Sequence, residues 1–148
     1  MSTDVTPATL TPSVIGQAEK HHTAVLARAL AGTTLDEKQW IVLNQALAAG
    51  APVERGAHIA QVAAMTQWAR TEVETAVNAL LAGALLATTP HGLLEPTGTG
   101  KAMVSKVRAE SGAIVAAVYS AVPAEDLATT ARVLATITAR MAQELAGA

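Results

Sequence analysis

Four histidines, twelve carboxylates and no cysteine make up the reactive side chains of this 148-residue chain, and their spacing decides what chemistry they offer. Without cysteine there is no disulfide, no thiolate zinc site and no thiol redox switch. His21 and His22 are adjacent, so on a helix their rings point about 100 degrees apart and cannot chelate one metal together. Glu54 and His58 lie four apart and would share a helix face, but two ligands do not make a metal site. Gly98-Thr99-Gly100-Lys101 hints at a phosphate loop. The earlier glycine of that motif is replaced by Glu95, however, and Ala102 follows the lysine where Ser or Thr is required. No Ser, His and acid combination has a recognisable setting, because such triads are defined in space. The expectation is a protein with no catalytic residues, no metal and no cofactor.

The stretch LLAGALLATTPHGLLEPTGTGKAM, residues 80–103, carries a different kind of information. It stops reading as helix, resumes as two strand-like pieces, Leu85 to Thr88 and Leu93 to Glu95, around a turn of Pro90, His91 and Gly92, and then becomes helical again. That is the outline of a small β-wing. Two short helices precede it. One runs from about Arg55 to Thr66 with Ile59, Val62 and Ala63 inward. The other occupies roughly Ala69 to Ala82 with Val73, Val77, Leu80 and Leu81 inward, and either Thr66 or Ala69 sits at its cap. A helix pair followed by a wing is a nucleic-acid-binding arrangement.

Further out, Val14, Ile15, Ala18, Val25, Leu26 and Ala29 recur at helical spacing to about Leu30. A second helix starts at Asp36-Glu37, buries Trp40, Leu43 and Leu47, and ends near Gly50. After Thr97 the pattern is helical to about Tyr119, through Met103, Val104, Val107, Ile114, Val115 and Val118. Pro123 opens a last helix in which Leu127, Leu134, Ile137, Met141 and Leu145 align. So long an apolar stripe exceeds what a small winged domain can cover, which predicts a partner, most simply a second copy of the chain.

Composition agrees with a mainly α protein. The chain is 51% hydrophobic with 2% aromatic residues, no Phe and 34 Ala, a mixture suited to closely packed helices. The first twenty residues do not resemble a secretory signal, and no run of about 18 apolar residues is present, so a cytoplasmic location and no membrane association are expected. The net charge of −2 is unfavourable for a phosphate binder. Between residues 50 and 101 three basic residues (Arg55, Arg70, Lys101) face four acidic ones (Glu54, Glu72, Glu74, Glu95).

The element order, together with LDEKQWIVL at 35–43, ALL at 84–86, PTGTG at 96–100 and VPAEDLATTARVLATITARM at 122–141, resembles the MarR family of winged helix-turn-helix transcriptional regulators, in the short-wing form common in actinobacteria. Gln39, Trp40 and Leu43 match the family's Gln-Trp-x-x-Leu pattern, and Thr97 and Gly100 match its Leu-Thr-x-x-Gly element, with Pro96 in place of the leucine. Ala84 stands where the family has Gly, and the Asp-x-Arg wing tip is replaced by TTPHG at 88–92.

The resemblance implies a flexible leader over 1–11 and a single MarR-like domain over 12–148. Within it, dimerisation helices would span about 12–31 and 101–147, and the winged helix-turn-helix about 36–100. It also implies a homodimeric regulator of transcription, a repressor, that binds double-stranded DNA and responds to a small aromatic or hydrophobic effector. Candidate DNA contacts are Arg55, Gln67, Arg70, Thr71, Thr75, Asn78 and the wing-tip His91. Arg70 at the start of the recognition helix is the leading one, with an i,i+4 pair to Glu74 as its plainer alternative. Trp68 is expected to pack rather than stack on a base, and Trp40 either packs in the core or borders the effector cleft, which is expected beside the second helix and the start of the fifth. The alternative function is a winged-helix dimerisation or ligand-binding module with weak or no DNA binding, to which the acidic reading half and the missing wing arginine point.

Overall fold

The computed structural model describes residues 8–147. Along them the order is α1 (Pro12–Leu30), α2 (Glu37–Ala48), α3 (Arg55–Thr66), α4 (Arg70–Ala82), β1 (Leu86–Thr88), β2 (Leu94–Pro96), α5 (Gly98–Tyr119) and α6 (Ala124–Ala146). Residues 1–7 of the expected leader lie outside the described residues, and Thr11, its last member, is the N-cap of α1.

Side-chain caps set the helix starts. The Thr11 hydroxyl accepts from the Val14 N–H at 3.2 Å, with Pro12 in the first turn where its missing N–H is harmless. Asp36 and Gln39 form a capping box at α2: Asp36 Oδ1 accepts from the Gln39 N–H at 2.8 Å and Gln39 Oε1 from the Asp36 N–H at 3.3 Å. The start of α4 falls at Arg70 after Ala69, whose N–H donates to Glu72 Oε2 at 3.0 Å. Thr66 belongs to the preceding turn instead. Its hydroxyl donates to the Val62 carbonyl at 2.7 Å and accepts from the Trp68 N–H at 3.3 Å.

The chain divides into two compact units, Met1–Ser111 and Gly112–Ala148. In the first, Val42 and Leu43 of α2, Ile59 and Val62 of α3, Val73, Val77 and Leu80 of α4, Leu86 and Leu94 of the hairpin, and Val104 and Val107 of α5 share one core. Each buried side chain of this size contributes about 1.5–3 kcal/mol. His58 is buried among them at 2% exposure, and its Nε2–H donates to the Val42 carbonyl at 3.0 Å while Nδ1 has no partner. The expected shared face of Glu54 and His58 is therefore not formed. Glu54 precedes the helix as its cap, and His58 points into the core.

β1 and β2 pair antiparallel with Leu86 opposite Pro96, Ala87 opposite Glu95 and Thr88 opposite Leu94, so each strand lies one residue later than its expected start. The Gly92 N–H donates to the Thr89 carbonyl at 2.9 Å and Gly92 takes φ 78, a left-handed conformation that glycine adopts without a steric penalty. Val53 adds a bridge to Leu94 through two 2.8 Å hydrogen bonds, a third edge to the wing that a single residue could not announce by periodicity.

In the second unit the end of α5 leads through residues 120–123 into α6. No residue of α6 is buried. Leu127, Leu134 and Ile137 are half-buried, while Val133, Met141 (57%) and Leu145 (64%) are exposed. Among the described residues no helix is long and apolar enough to cross a membrane.

Candidate nucleic-acid interface

α4 is amphipathic in the way a reading helix has to be. Val73, Ala76, Val77 and Leu80 fix one side in the core, which leaves Arg70, Thr71, Glu74, Thr75 and Asn78 exposed. Thr71, Thr75 and Asn78 follow i, i+4, i+7 spacing and so lie along one stripe. The side chain of Arg70, the first residue of the helix, makes no hydrogen bond or ion pair with any described residue, so the expected alternative of a pair with Glu74 is not formed. Its guanidinium is available to a ligand.

The other expected contacts are more constrained. Arg55 Nη2 donates to Asn78 Oδ1 at 2.8 Å, joining the first residue of α3 to the third turn of α4. The Thr75 hydroxyl donates to the Thr71 carbonyl at 2.9 Å. Gln67 holds φ 61 at the end of α3, and its Nε2 donates to the Ala64 carbonyl at 2.7 Å, so its amide serves the turn. His91 is exposed at the wing tip, beyond the Thr89 hydroxyl that accepts from the His91 and Leu93 N–H groups.

Carboxylates occupy the N-termini of both helices of the pair. Glu54 accepts from the Gly56 N–H at 2.9 Å and the Ala57 N–H at 2.6 Å. These two bonds stabilise the charged form and hold the Glu54 carboxyl below its usual 4.5. At α4, Glu72 caps Ala69 and also lies 3.6 Å from Lys38 Nζ, which in turn sits 5.3 Å from the centre of the Trp68 ring. Trp68 is half-buried against the core, as expected of a packing residue. Lys38 was not a candidate in the sequence. Its contacts join α2 to the turn before α4, and nothing in local spacing announces them.

Two hollows open on the first unit. One of about 370 Å³ lies between α1 and the start of α2, with Leu26, Leu30 and Leu35 as its apolar lining and Thr23, Thr33, Asp36 and Glu37 among its polar groups. The other, about 160 Å³, is lined by Ala46 and Leu47 of α2, residues 50–52, Glu95, Pro96 and Lys101. Trp40 lines neither; it is 7% exposed and packs in the core. Gln39 and Trp40 are therefore a cap and a core residue. Asn44 and Arg108 were also missed by sequence reasoning: Arg108 Nε donates to Asn44 Oδ1 at 2.9 Å, fastening α5 to α2. Among the described residues no three metal-ligating side chains come together.

No family model matches the sequence, and no curated protein matches it. Solved structures do. A MarR-family transcriptional regulator from Rhodococcus sp. RHA1 superposes with a TM-score of 0.71 at 17% identity, over 88% of this chain and 98% of that one. CouR from Rhodococcus jostii RHA1, solved with p-coumaroyl-CoA, gives 0.71 at 18%, over 84% and 88%. A Mycobacterium tuberculosis MarR-family protein, solved with p-aminosalicylic acid, gives 0.66 at 15%, over 87% and 98%. At such identities the likeness is one of fold. The chain has the winged helix-turn-helix fold of the MarR-family transcriptional regulators.

Proposed function

We propose that this chain is a homodimeric DNA-binding regulator of transcription of the MarR type, acting as a repressor whose affinity falls when a small aromatic or hydrophobic molecule binds. The observation that carries the reading is the exposed side of α4, where Arg70 and Thr71 stand at the helix start with no partner for the guanidinium among the described residues, on a helix whose other side is locked in the core. Residues at the start of a recognition helix meet base edges in the major groove. The apolar stripe of α6, with none of its residues buried, supports pairing with a second copy through the terminal helices. A cytoplasmic location follows from that role.

The 370 Å³ hollow between α1 and α2 is the effector site in this reading, being mostly apolar with a few polar groups. Two proteins of the same fold were solved with aromatic ligands, p-coumaroyl-CoA and p-aminosalicylic acid, which favours an aromatic effector here. Trp40, in the first turns of α2, is buried in the core and would report on the site indirectly.

The second reading, a winged-helix module without DNA affinity, is favoured by the Glu54 and Glu72 carboxylates at the N-termini of α3 and α4. A gel shift against DNA flanking the protein's own gene, at two salt concentrations and with a panel of aromatic acids and planar hydrophobes, separates the two. A specific shift weakened by a panel member is expected. Binding no tighter than to random DNA at low salt would establish the second reading.

A further inference from the structure

We infer that Asn78, held by Arg55, reads a base in the major groove and selects guanine over adenine there. The inference rests on the DNA-binding reading above. A guanidinium carries donors only, so the Asn78 atom that faces Arg55 Nη2 at 2.8 Å is its carbonyl oxygen, whichever way the amide is drawn. That orients the Asn78 amide nitrogen, with its two N–H donors, away from Arg55. Asn78 is exposed, and it shares the stripe of Thr71 and Thr75 on the outward side of α4.

An unrestrained asparagine recognises adenine by accepting from N6 and donating to N7. Here one lone pair of the accepting oxygen is already engaged by a cation. Arg55 has no ion-pair partner among the described residues to offset its charge. A positive charge beside Oδ1 opposes the approach of the adenine amino group, itself a donor. Guanine offers acceptors at N7 and O6 instead, which suit a unit that presents only donors. The Thr75 hydroxyl proton is committed to the Thr71 carbonyl at 2.9 Å, so it does not compete for those acceptors. Arg55 is thus a positioning residue, and Asn78 the residue that touches the base.

The experiment is in vitro selection from random duplex DNA with the full chain, comparing wild type with Asn78→Ala, Asn78→Asp and Arg55→Met, each checked for folding by its melting curve. Wild type is expected to enrich guanine over adenine by about tenfold at one base pair per half-site. Asn78→Ala should lose the preference at that pair alone. Asn78→Asp keeps an acceptor for Arg55 but has no donor, so it should reject guanine there, and Arg55→Met should move the pair toward adenine. Enrichment of adenine by wild type, or a loss of affinity in Asn78→Ala that is uniform across sequences as for a phosphate contact, overturns the inference while leaving the regulator reading intact. Failure of wild type to enrich any sequence overturns both.

Discussion

The Thr97 hydroxyl donates to the carbonyl of Ala84 at 2.7 Å, and Ala84 holds φ 58, a left-handed conformation that costs a non-glycine residue about 1–2 kcal/mol. This contact joins the end of α4 to the start of α5. The same hydroxyl accepts from the Gly100 N–H at 3.0 Å, so one side chain caps α5 and secures the turn before the wing. The Ala84 N–H donates to Leu81 and the Leu85 N–H to Leu80, the pair of bonds that closes a helix through a left-handed residue. Glycine is the usual occupant of such a position, and here glycine falls one residue early, at Gly83, where φ is −84.

Ala84→Gly should therefore stabilise the protein. Relief of the left-handed strain outweighs the added freedom of the unfolded chain, for a net gain of about 0.5–1 kcal/mol. Urea denaturation checks it, and a midpoint equal to or below that of wild type would contradict the account of this turn.

Gly100→Ala should do the opposite. A Cβ at Gly100 would collide with the Leu85 carbonyl oxygen, a backbone atom that cannot rotate away. The expected loss is more than about 2 kcal/mol. Thr97→Val, which keeps the shape and removes both hydrogen bonds, should cost about 1–2 kcal/mol. Thermal melts of the two variants suffice, and wild-type melting of Gly100→Ala would show that α5 does not pass Leu85 so closely.

Removal of the Glu54 charge should matter only above the acid range. The folded carboxyl is held below 4.5 by the Gly56 and Ala57 N–H groups, so its contribution is fully present above the unfolded value and is lost as pH falls from about 4.5 through the lowered folded value. Wild type should thus melt above Glu54→Gln at pH 7, and the gap should close as acid is added. A gap that is unchanged down to pH 3 would mean that charge is not what Glu54 supplies.

DNA binding should show a shallow salt dependence. Of the two arginines in the helix pair, Arg70 is the one whose guanidinium has no partner among the described residues, Arg55 being bonded to Asn78. Two to four neutralised phosphates per dimer give a slope of about −2 to −4 in log K against log salt, against about −10 for a strongly electrostatic binder. Arg70→Ala should abolish the specific shift and His91→Ala should leave it nearly unchanged. Equal affinity of wild type and Arg70→Ala would remove the basis of the proposed mechanism.

Wild-type protein should run in multi-angle light scattering at twice the 15.1 kDa of one chain. Replacement of Leu134 and Met141 by Asp should leave it monomeric, aggregated or unfolded, because both lie in the apolar series of a helix with no buried residue. A wild-type mass of one chain at micromolar concentration would exclude the dimer.

Helices whose order comes from periodicity and caps were legible in the chain itself. Asp36 and Glu37 announce the start of α2 and the turn of Pro90, His91 and Gly92 the wing, since each depends on neighbours within four residues. The core face of α4 was legible for the same reason. What the local pattern left open was settled by contacts distant in sequence. Whether Thr66 or Ala69 caps α4 depended on which helix end Thr66 could reach, and the single-residue edge at Val53 exists only because Leu94 lies beside it. At the candidate interface, residue types on the exposed stripe were evident but their availability was not. Arg55 and Asn78 are 23 residues apart, Lys38 reaches Glu72 and Trp68 from another helix, and Trp40, left open between core and cleft, is core. Hydrogen bonds and ion pairs of that kind act over a few ångströms, so only the fold that brings their partners together determines which donors remain for a ligand.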